Sequence, residues 1–464
     1  MAGPAPSPQG TVMRITANTS TVLRVSGSGH PKCLAAPPRR LRMLVVTSPG
    51  HGGRYVFRQN DLQTRGLESD ASVHALPDLL DRDWTDGEPA YGPRFAARAK
   101  GPYVWDADGV RYLDLVLGFG SVVLGHADDA VDRAVMEAIS QGVAPTLRTS
   151  EQIELTECLG NLVPNAESAL LLRTGSDATA AAVRIARAAT GRTRVIRHGY
   201  QGWHDWCAPR PAGIPPAVRD LTTHFPYNDV AALRRELERH PGDVACVVMM
   251  PTETELPQPR FLESCRKLTH EFGALFVLDE VRTGFRLAVG GAQEYFGVDA
   301  DLVALSKAMA NGYAVSAVTG RREIMHSVDS VSASSLFYRS RDGFAAALAT
   351  LTRITEDEVV PRLWATGEEL MRGLSDAARE AGIPARPIGL APMPFHTFDV
   401  AHHLRAPLHR EFYRAAAGAG VLFHPSHHWF VCASMTSAEV TLAVEAAAVG
   451  YHSAARLLDK LQGR

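Results

Sequence analysis

Lys307 is one of five lysines in a chain that carries 43 arginines. So strong a bias replaces any lysine whose only task is to be positive, which turns attention to the lysines that survive. Lys32, Lys100, Lys267 and Lys460 lie in tails, in a polar loop or on helix faces that read as exposed. Lys307 is different: it follows the apolar run "ADLVAL" and precedes the small, turn-prone "AMANGY". Burial there keeps its amine partly neutral, and a neutral amine attacks carbonyl carbon.

Two other stretches put polar groups at the ends of apolar runs. In "LLLRTGSDATAAAVRIA" a strand stops at Thr174-Gly175-Ser176 and a helix starts near Asp177. Its first N–H groups form an anion site suited to phosphate, while the plainer reading is an ordinary turn with Asp177 near the helix start. In "ALFVLDEVRTGF" an apolar strand ends in Asp279 and Glu280, which point to opposite faces, with Val281 on the Asp279 face. Buried carboxylates need a cation, either a ligand's or that of Arg282 or Arg286.

A phosphate cradle, a carboxylate and an amine together match pyridoxal 5′-phosphate. Its phosphate is an anion, its ring nitrogen acts as an electron sink only while a carboxylate keeps it protonated, and its aldehyde condenses with lysine. Val281 would lie against one ring face. Tyr200 in "RHGYQGWHDW" supplies an aromatic for the other, or is a core residue.

These stretches must be held by a sheet. Strand-like and helix-like runs alternate from "SALLLRT" through "DATAAAVRIARAAT", "RVIRH", "DVAALRRELERH", "DVACVVMM", "RFLESCRKLTHEF", "ALFVLDEV" and "DLVALS" to "AVSAVTG". Near-continuous Val, Leu and Ile strands separated by helices predict an α/β domain with a mostly parallel sheet. Ligands of such sheets bind beyond the carboxyl ends of the strands, where the three stretches fall. "YVWDADGVRYLDL" predicts a hairpin turning at Asp108-Gly109. Past about residue 350 the pattern is helix-rich, with strand-like runs "MPFHTFDV" and "HWFVCAS", as in a smaller α+β domain. The expected divisions are a leader over 1–60, an N-terminal segment with the hairpin over 61–145, the large cofactor-binding domain over 146–350 and the C-terminal small domain over 351–464.

The leader contains no Asp or Glu and eight Lys or Arg, with much Pro, Gly, Ser and Thr, a composition of disorder. It reads as a transit-like segment or as a start assigned too early, with Met43 as one alternative. A net charge near −2 argues against general affinity for nucleic acid or acidic lipid, and no apolar run is long enough to span a membrane. Six scattered cysteines without C-x-x-C spacing fit reduced thiols in a cytoplasm. The histidine pairs are no metal site, since H-E-x-x-H is missing and no carboxylate is close by.

"TGSDATAAAVRIARAATGR", "YQGWHDW", "LDEVRTGFR" and "SKAMANGY", in this order, closely resemble the class III pyridoxal-phosphate aminotransferases, and among them the glutamate-1-semialdehyde aminomutase group. The resemblance runs from about residue 97 to the C-terminus. It implies pyridoxal-phosphate fold type I and a homodimer with sites at the subunit interface. It further implies Lys307 as the Schiff-base lysine, Asp279 on the ring nitrogen, Gly175 and Ser176 on the phosphate, and Tyr200 and Val281 on the two ring faces.

Several positions depart from that pattern. The mutases hold a substrate carboxylate with an arginine in an N-terminal "SPVR"-like stretch, where this chain reads "TDGEPAYGPRFAARAKG". The family's "EP" is Met250-Pro251, and the threonine that reaches the partner's cofactor phosphate aligns with Leu336, beside Ser334 and Ser335. Where many relatives bring a C-terminal arginine to the substrate, "VLFHPSHHWFVCAS" offers His424, Ser426, His427 and His428, residues suited to hydroxyl groups. His402 and His403 read as surface.

The expected activity is transfer of an amino group from an amino-acid donor, glutamate, to a small-molecule ketone acceptor, hydroxylated or cyclic, in specialised biosynthesis. A 3-dehydroshikimate-type ring giving an aminobenzoate is one example, by resemblance. Glutamate-1-semialdehyde 2,1-aminomutase is the alternative within the family, and a non-catalytic sensor or partner protein is the alternative of another class.

Overall fold

In the computed structural model, residues 95–463 are described, together with Pro93 and two short upstream strands. Those strands, Leu44–Thr47 and Arg54–Phe57, pair antiparallel within the tract read as a leader. The rest of that tract, the choice of Met43 and most of the stretch aligned with the mutases' arginine lie outside the described residues. The chain forms two compact units, one of Met1–Ala97 with Asp106–Val110, the other of Arg98–Trp105 with Arg111–Arg464.

The second unit is built on a seven-stranded sheet. Its strands are β1 (Ser168–Leu172), β2 (Arg194–His198), β3 (Thr222–His224), β4 (Val244–Met249), β5 (Leu275–Asp279), β6 (Leu302–Leu305) and β7 (Ser316–Gly320), in the spatial order β1-β7-β6-β5-β4-β2-β3. Neighbours from β3 to β6 are parallel, and β7 pairs antiparallel with both β6 and β1. Six strands therefore share one direction. Every residue of β4, β6 and β7 is buried, as a sheet covered on both faces requires.

The strands of this sheet read from the sequence are all present, and the structure adds the edge strand β3, whose Thr-Thr-His carries no apolar alternation. The hairpin forms as expected, with Tyr103 opposite Leu113 and Gly109 at φ +86° in its turn. Val421–Leu422 joins it parallel to Arg111–Asp114. Towards the C-terminus, helices Val359–Glu380, His402–Gly418 and Ser437–Leu461 pack together, and Met393–Phe398 pairs with Ala385–Leu390. "HWFVCAS" is not a strand. It is buried through Trp429, Phe430, Val431 and Cys432, but its N–H groups reach separate carbonyls. Trp429 donates to Pro394, Phe430 to Leu115 and Ala433 to Val123. Apolar content drew the segment inward, and no single neighbouring strand was there to pair with it.

Among the described residues no helix is long and apolar enough to cross a membrane, and no group of three or more His, Cys, Asp or Glu is placed to hold a metal.

Candidate active site

Strand β5 delivers Asp279 into the protein with a single hydrogen bond among the described residues, from the Val281 N–H to its Oδ1 at 3.1 Å. Burial pushes its carboxyl up to about 6, opposed by that bond and by the Lys307 and Arg282 charges. Glu280, on the opposite face, is fully buried and accepts from the N–H groups of Ala292 and Gln293 and from Thr283 Oγ1, at the start of the short helix Gly291–Phe296. The salt bridge considered for this acid pair is not the one formed. Arg282 turns to Glu253, and Arg286 donates to the carbonyls of Gly120, Val431 and Pro392.

Lys307 follows β6 at the first position of a one-turn 3-10 helix, with φ at +47°. A residue with a β-carbon avoids this left-handed region unless its surroundings impose it, and such positions gather at functional sites. Here both ends of the turn are fastened. Ser306 Oγ donates to Val315 O at 2.9 Å, while Asn311 accepts from Leu124 N–H and donates to Gly125 O, both at 2.9 Å. Burial, with the Arg282 charge next in importance, lowers the Lys307 amine to about 8. Of the other lysines, Lys100, Lys267 and Lys460 are exposed, as expected, and Lys32 lies outside the described residues.

Helix Gly175–Thr190 starts at the carboxyl end of β1. Thr174 Oγ1 accepts from Asp177 N–H and the Asp177 carboxylate accepts from Thr174 N–H, a capping box. Asp177 therefore has the plain structural role. The N–H groups of Gly175 and Ser176, in the first turn, have no helical acceptor, the arrangement in which helix starts bind anions.

Val281 packs on this turn so tightly that a β-carbon on Gly175 would lie 2.8 Å from Val281 Cγ1. The loop after β2 covers it from another side, since a β-carbon on Gly202 would meet Ser176 Oγ at 2.3 Å. Gln201 fixes that loop: its side chain accepts from Arg197 at 2.7 Å and donates to His198 O, and its carbonyl accepts from Thr179 Oγ1 at 2.6 Å. Tyr200, carried by the same loop, is 59% exposed, so it is not a core aromatic.

The turn with glycine where a β-carbon would not fit, the buried carboxylate with one bond among the described residues and the half-buried amine fit pyridoxal 5′-phosphate. Gly175 and Ser176 would take its phosphate, Asp279 its ring nitrogen and Lys307 its aldehyde carbon, with Val281 on the Asp279 strand beside the phosphate turn.

The histidines of "HPSHHW" close another side. His427 donates from Nδ1 to His428 O at 3.1 Å, leaving Nε2 as an acceptor. Burial and then the Lys307 charge push this imidazole down to about 3, so it stays neutral. Its ring meets Phe119 edge-on at 5.2 Å, and Phe119, like Lys307, has a left-handed backbone, with φ at +55°. Ser426 N–H donates to His424 Nδ1 at 3.1 Å. His402 and His403 are exposed at a helix start. Sequence reading named Arg282 only as a counter-ion for the acid pair and did not single out Glu253, its partner 29 residues away along the chain.

The family model for aminotransferase class III matches residues 87–447. The chain is 37% identical over 368 residues to the 3-aminobutyryl-CoA aminotransferase of Cloacimonas acidaminovorans, covering 77% of this chain and 89% of that protein. It is equally 37% identical over 350 residues to the 2′-deamino-2′-hydroxyneamine transaminase of Streptomyces kanamyceticus, covering 74% and 89%. Among solved structures, the FumI protein of Sphingopyxis sp. MTA144 in its PLP internal aldimine form superposes with a TM-score of 0.77 at 31% identity, over 80% of this chain and 91% of that one. By sequence, fold and site chemistry, the chain belongs to the class-III aminotransferases, enzymes that work with pyridoxal phosphate.

Proposed function

We propose that this aminotransferase moves an amino group from glutamate to a hydroxylated or cyclic ketone. The observation that carries the acceptor half is His427: a neutral imidazole whose Nε2, without a hydrogen-bond partner among the described residues, is left free to accept, close enough to Lys307 to be lowered by its charge. Such a wall suits a substrate hydroxyl, which donates, better than a carboxylate, which only accepts. The similarity to a transaminase named for a hydroxyneamine points the same way.

The bound cofactor supplies an electron sink for the bond broken at the donor carbon. Lys307 is the base that carries the proton from that carbon and returns it on the acceptor. Asp279 would keep the ring nitrogen protonated, Gly175 and Ser176 would hold the phosphate, and Val281 and Tyr200 would lie against the ring. A second copy of the chain is part of this proposal. Leu336, 71% exposed, lies with Leu170, Ile153 and Tyr338 along an open groove of about 850 Å³, a surface suited to being covered in a homodimer.

The test is to mix the holoenzyme with glutamate, follow the change in cofactor absorbance, and then ask which ketones reverse it. Reversal by hydroxylated cyclic ketones supports the reading. Reversal by simple keto acids alone removes the cyclic acceptor, efficient conversion of glutamate 1-semialdehyde to 5-aminolevulinate supports the aminomutase instead, and no change with any amine supports a non-catalytic role.

A further inference from the structure

An amino-acid donor brings a carboxylate bonded to the carbon whose proton Lys307 handles. A cation must therefore lie within a few ångströms of the amine's working position. The histidine wall does not provide one, because burial and the neighbouring cations hold His427 and His428 neutral. Arg286 is committed to three backbone carbonyls.

Arg282 has a different environment. It is 6% exposed, follows Asp279 and Val281 on the same segment, and its charge acts on both Lys307 and Asp279. Nη2 donates to Thr252 O at 2.6 Å and meets Glu253 Oε2 at 3.3 Å, and Nη1 donates to His428 Nδ1 at 3.1 Å. Its Nε, like that of Arg286, is buried with no hydrogen-bond partner among the described residues, but Arg282 alone of the two meets a carboxylate. A guanidinium's strongest mode is a two-point fork on a carboxylate, yet Glu253 reaches it through one long contact. Glu253 is the more exposed of the two, and its other oxygen lies 3.9 Å from His198 Nε2, which is itself buried without a hydrogen-bond partner.

We infer that Arg282 is the anchor for the donor's α-carboxylate, with Glu253 as the resident counter-ion that the incoming carboxylate competes against. The inference rests on the transaminase reading and adds a residue to it. It accounts for a buried cation kept beside the reaction centre with a donor to spare, and for a counter-ion held weakly enough to yield. It likewise lets one site take a charged donor and then an uncharged ketone, because Glu253 neutralises Arg282 when no carboxylate is bound.

The experiment measures binding of glutarate, a dicarboxylate that cannot react, to the holoenzyme by calorimetry. In Arg282→Met the affinity should fall by about 30-fold or more, the scale for losing one desolvated charge partner. In Glu253→Gln, which keeps Arg282 and removes its competitor, it should rise several-fold. Glutarate binding unchanged in Arg282→Met, or weakened in Glu253→Gln, overturns the assignment, and the second variant decides the matter if the first does not fold. Glutamate-driven absorbance change in the unsubstituted enzyme separates the two levels. If it is missing, the transaminase reading fails. If it is present and Arg282→Met shows the same half-saturating glutamate concentration, only the anchor fails.

Discussion

Gly175 and Val281 are in contact across the site in such a way that residue 175 has no room for a side chain: its β-carbon would sit 2.8 Å from Val281 Cγ1 and 3.1 Å from Cγ2. The phosphate turn and the strand that carries Asp279 are thereby locked into one spacing.

Gly175→Ala should therefore force the two elements apart. Overpacking of this kind costs about 1–3 kcal/mol, and here it should appear as weaker cofactor affinity as well as a lower melting temperature. Adding Val281→Ala should recover much of both. Equilibrium dialysis of the cofactor and thermal melts of the four proteins in the cycle give the answer, and an additive double variant would show that the contact is not the cause.

Covalent capture of pyridoxal phosphate by the apoprotein should accelerate with pH through about 8. The attacking amine must be neutral, and burial with the Arg282 charge has lowered Lys307 to that value from the usual lysine range. Stopped-flow absorbance across pH 6.5 to about 10 reads the midpoint. A midpoint near that of an ordinary lysine would contradict the burial. Lys307→Ala should show no capture and lose activity by at least ~10²–10⁴-fold, and Lys307→Arg should not restore it, because a guanidinium stays protonated.

Asp279 should make the apoprotein less stable as pH rises. Its folded value of about 6 lies above the unfolded value of about 3.9, so the folded state binds the extra proton. The stability linked to that proton is fully present below about pH 4 and is lost as pH rises through 6. Apo Asp279→Asn should accordingly be more stable than the parent at pH 8 by ~2–3 kcal/mol, and the two should converge near pH 4. With cofactor bound the order should reverse, since asparagine cannot hold the ring nitrogen protonated. Urea melts of both forms at the two pH values check the sign.

Arg286→Lys should destabilise the fold by about 3–5 kcal/mol. The guanidinium is fully buried and joins three separated segments through Gly120 O at 2.8 Å, Val431 O at 3.0 Å and Pro392 O at 3.3 Å. An ammonium cannot span that fork, so carbonyls would be left without donors. Thermal melts measure the loss, and a change below about 1 kcal/mol would mean water replaces the arginine.

The placing of Lys307 and Asp279 at strand ends was legible because each ends an apolar run, and an apolar run ending in a charge is costly unless the charge is met. The βα alternation was legible for the same reason, since strands buried on both faces leave an unbroken apolar record. Three things left none. Strand β3 forms on pairing with β2 alone, and its Thr-Thr-His shows no period. The run 428–434 looked like a strand because apolar content reports burial and does not report hydrogen-bond partners. Arg282 could be read as a counter-ion for Asp279, and only the folded chain shows that Glu253, from the loop after β4, has taken that place.

The reversed strand β7 has a consequence for how such a chain can diversify. Because it runs against its neighbours, β7 begins beside the end of β1, with Ser316 opposite Leu172 and its Oγ donating to Thr174 O at 2.7 Å. The segment from Lys307 to Ser316 thus links the amine to the turn at Thr174, and hydrogen bonds from Ser306 Oγ and Ser316 Oγ fasten its two ends. Residues inserted there would displace the amine from its partner groups, whereas residues inserted in the loop after β4, which packs on neither the amine turn nor the Gly175 turn in the contacts above, would reshape what the site admits. Insertion and deletion are free to alter the choice of substrate while leaving the reaction coordinate in place.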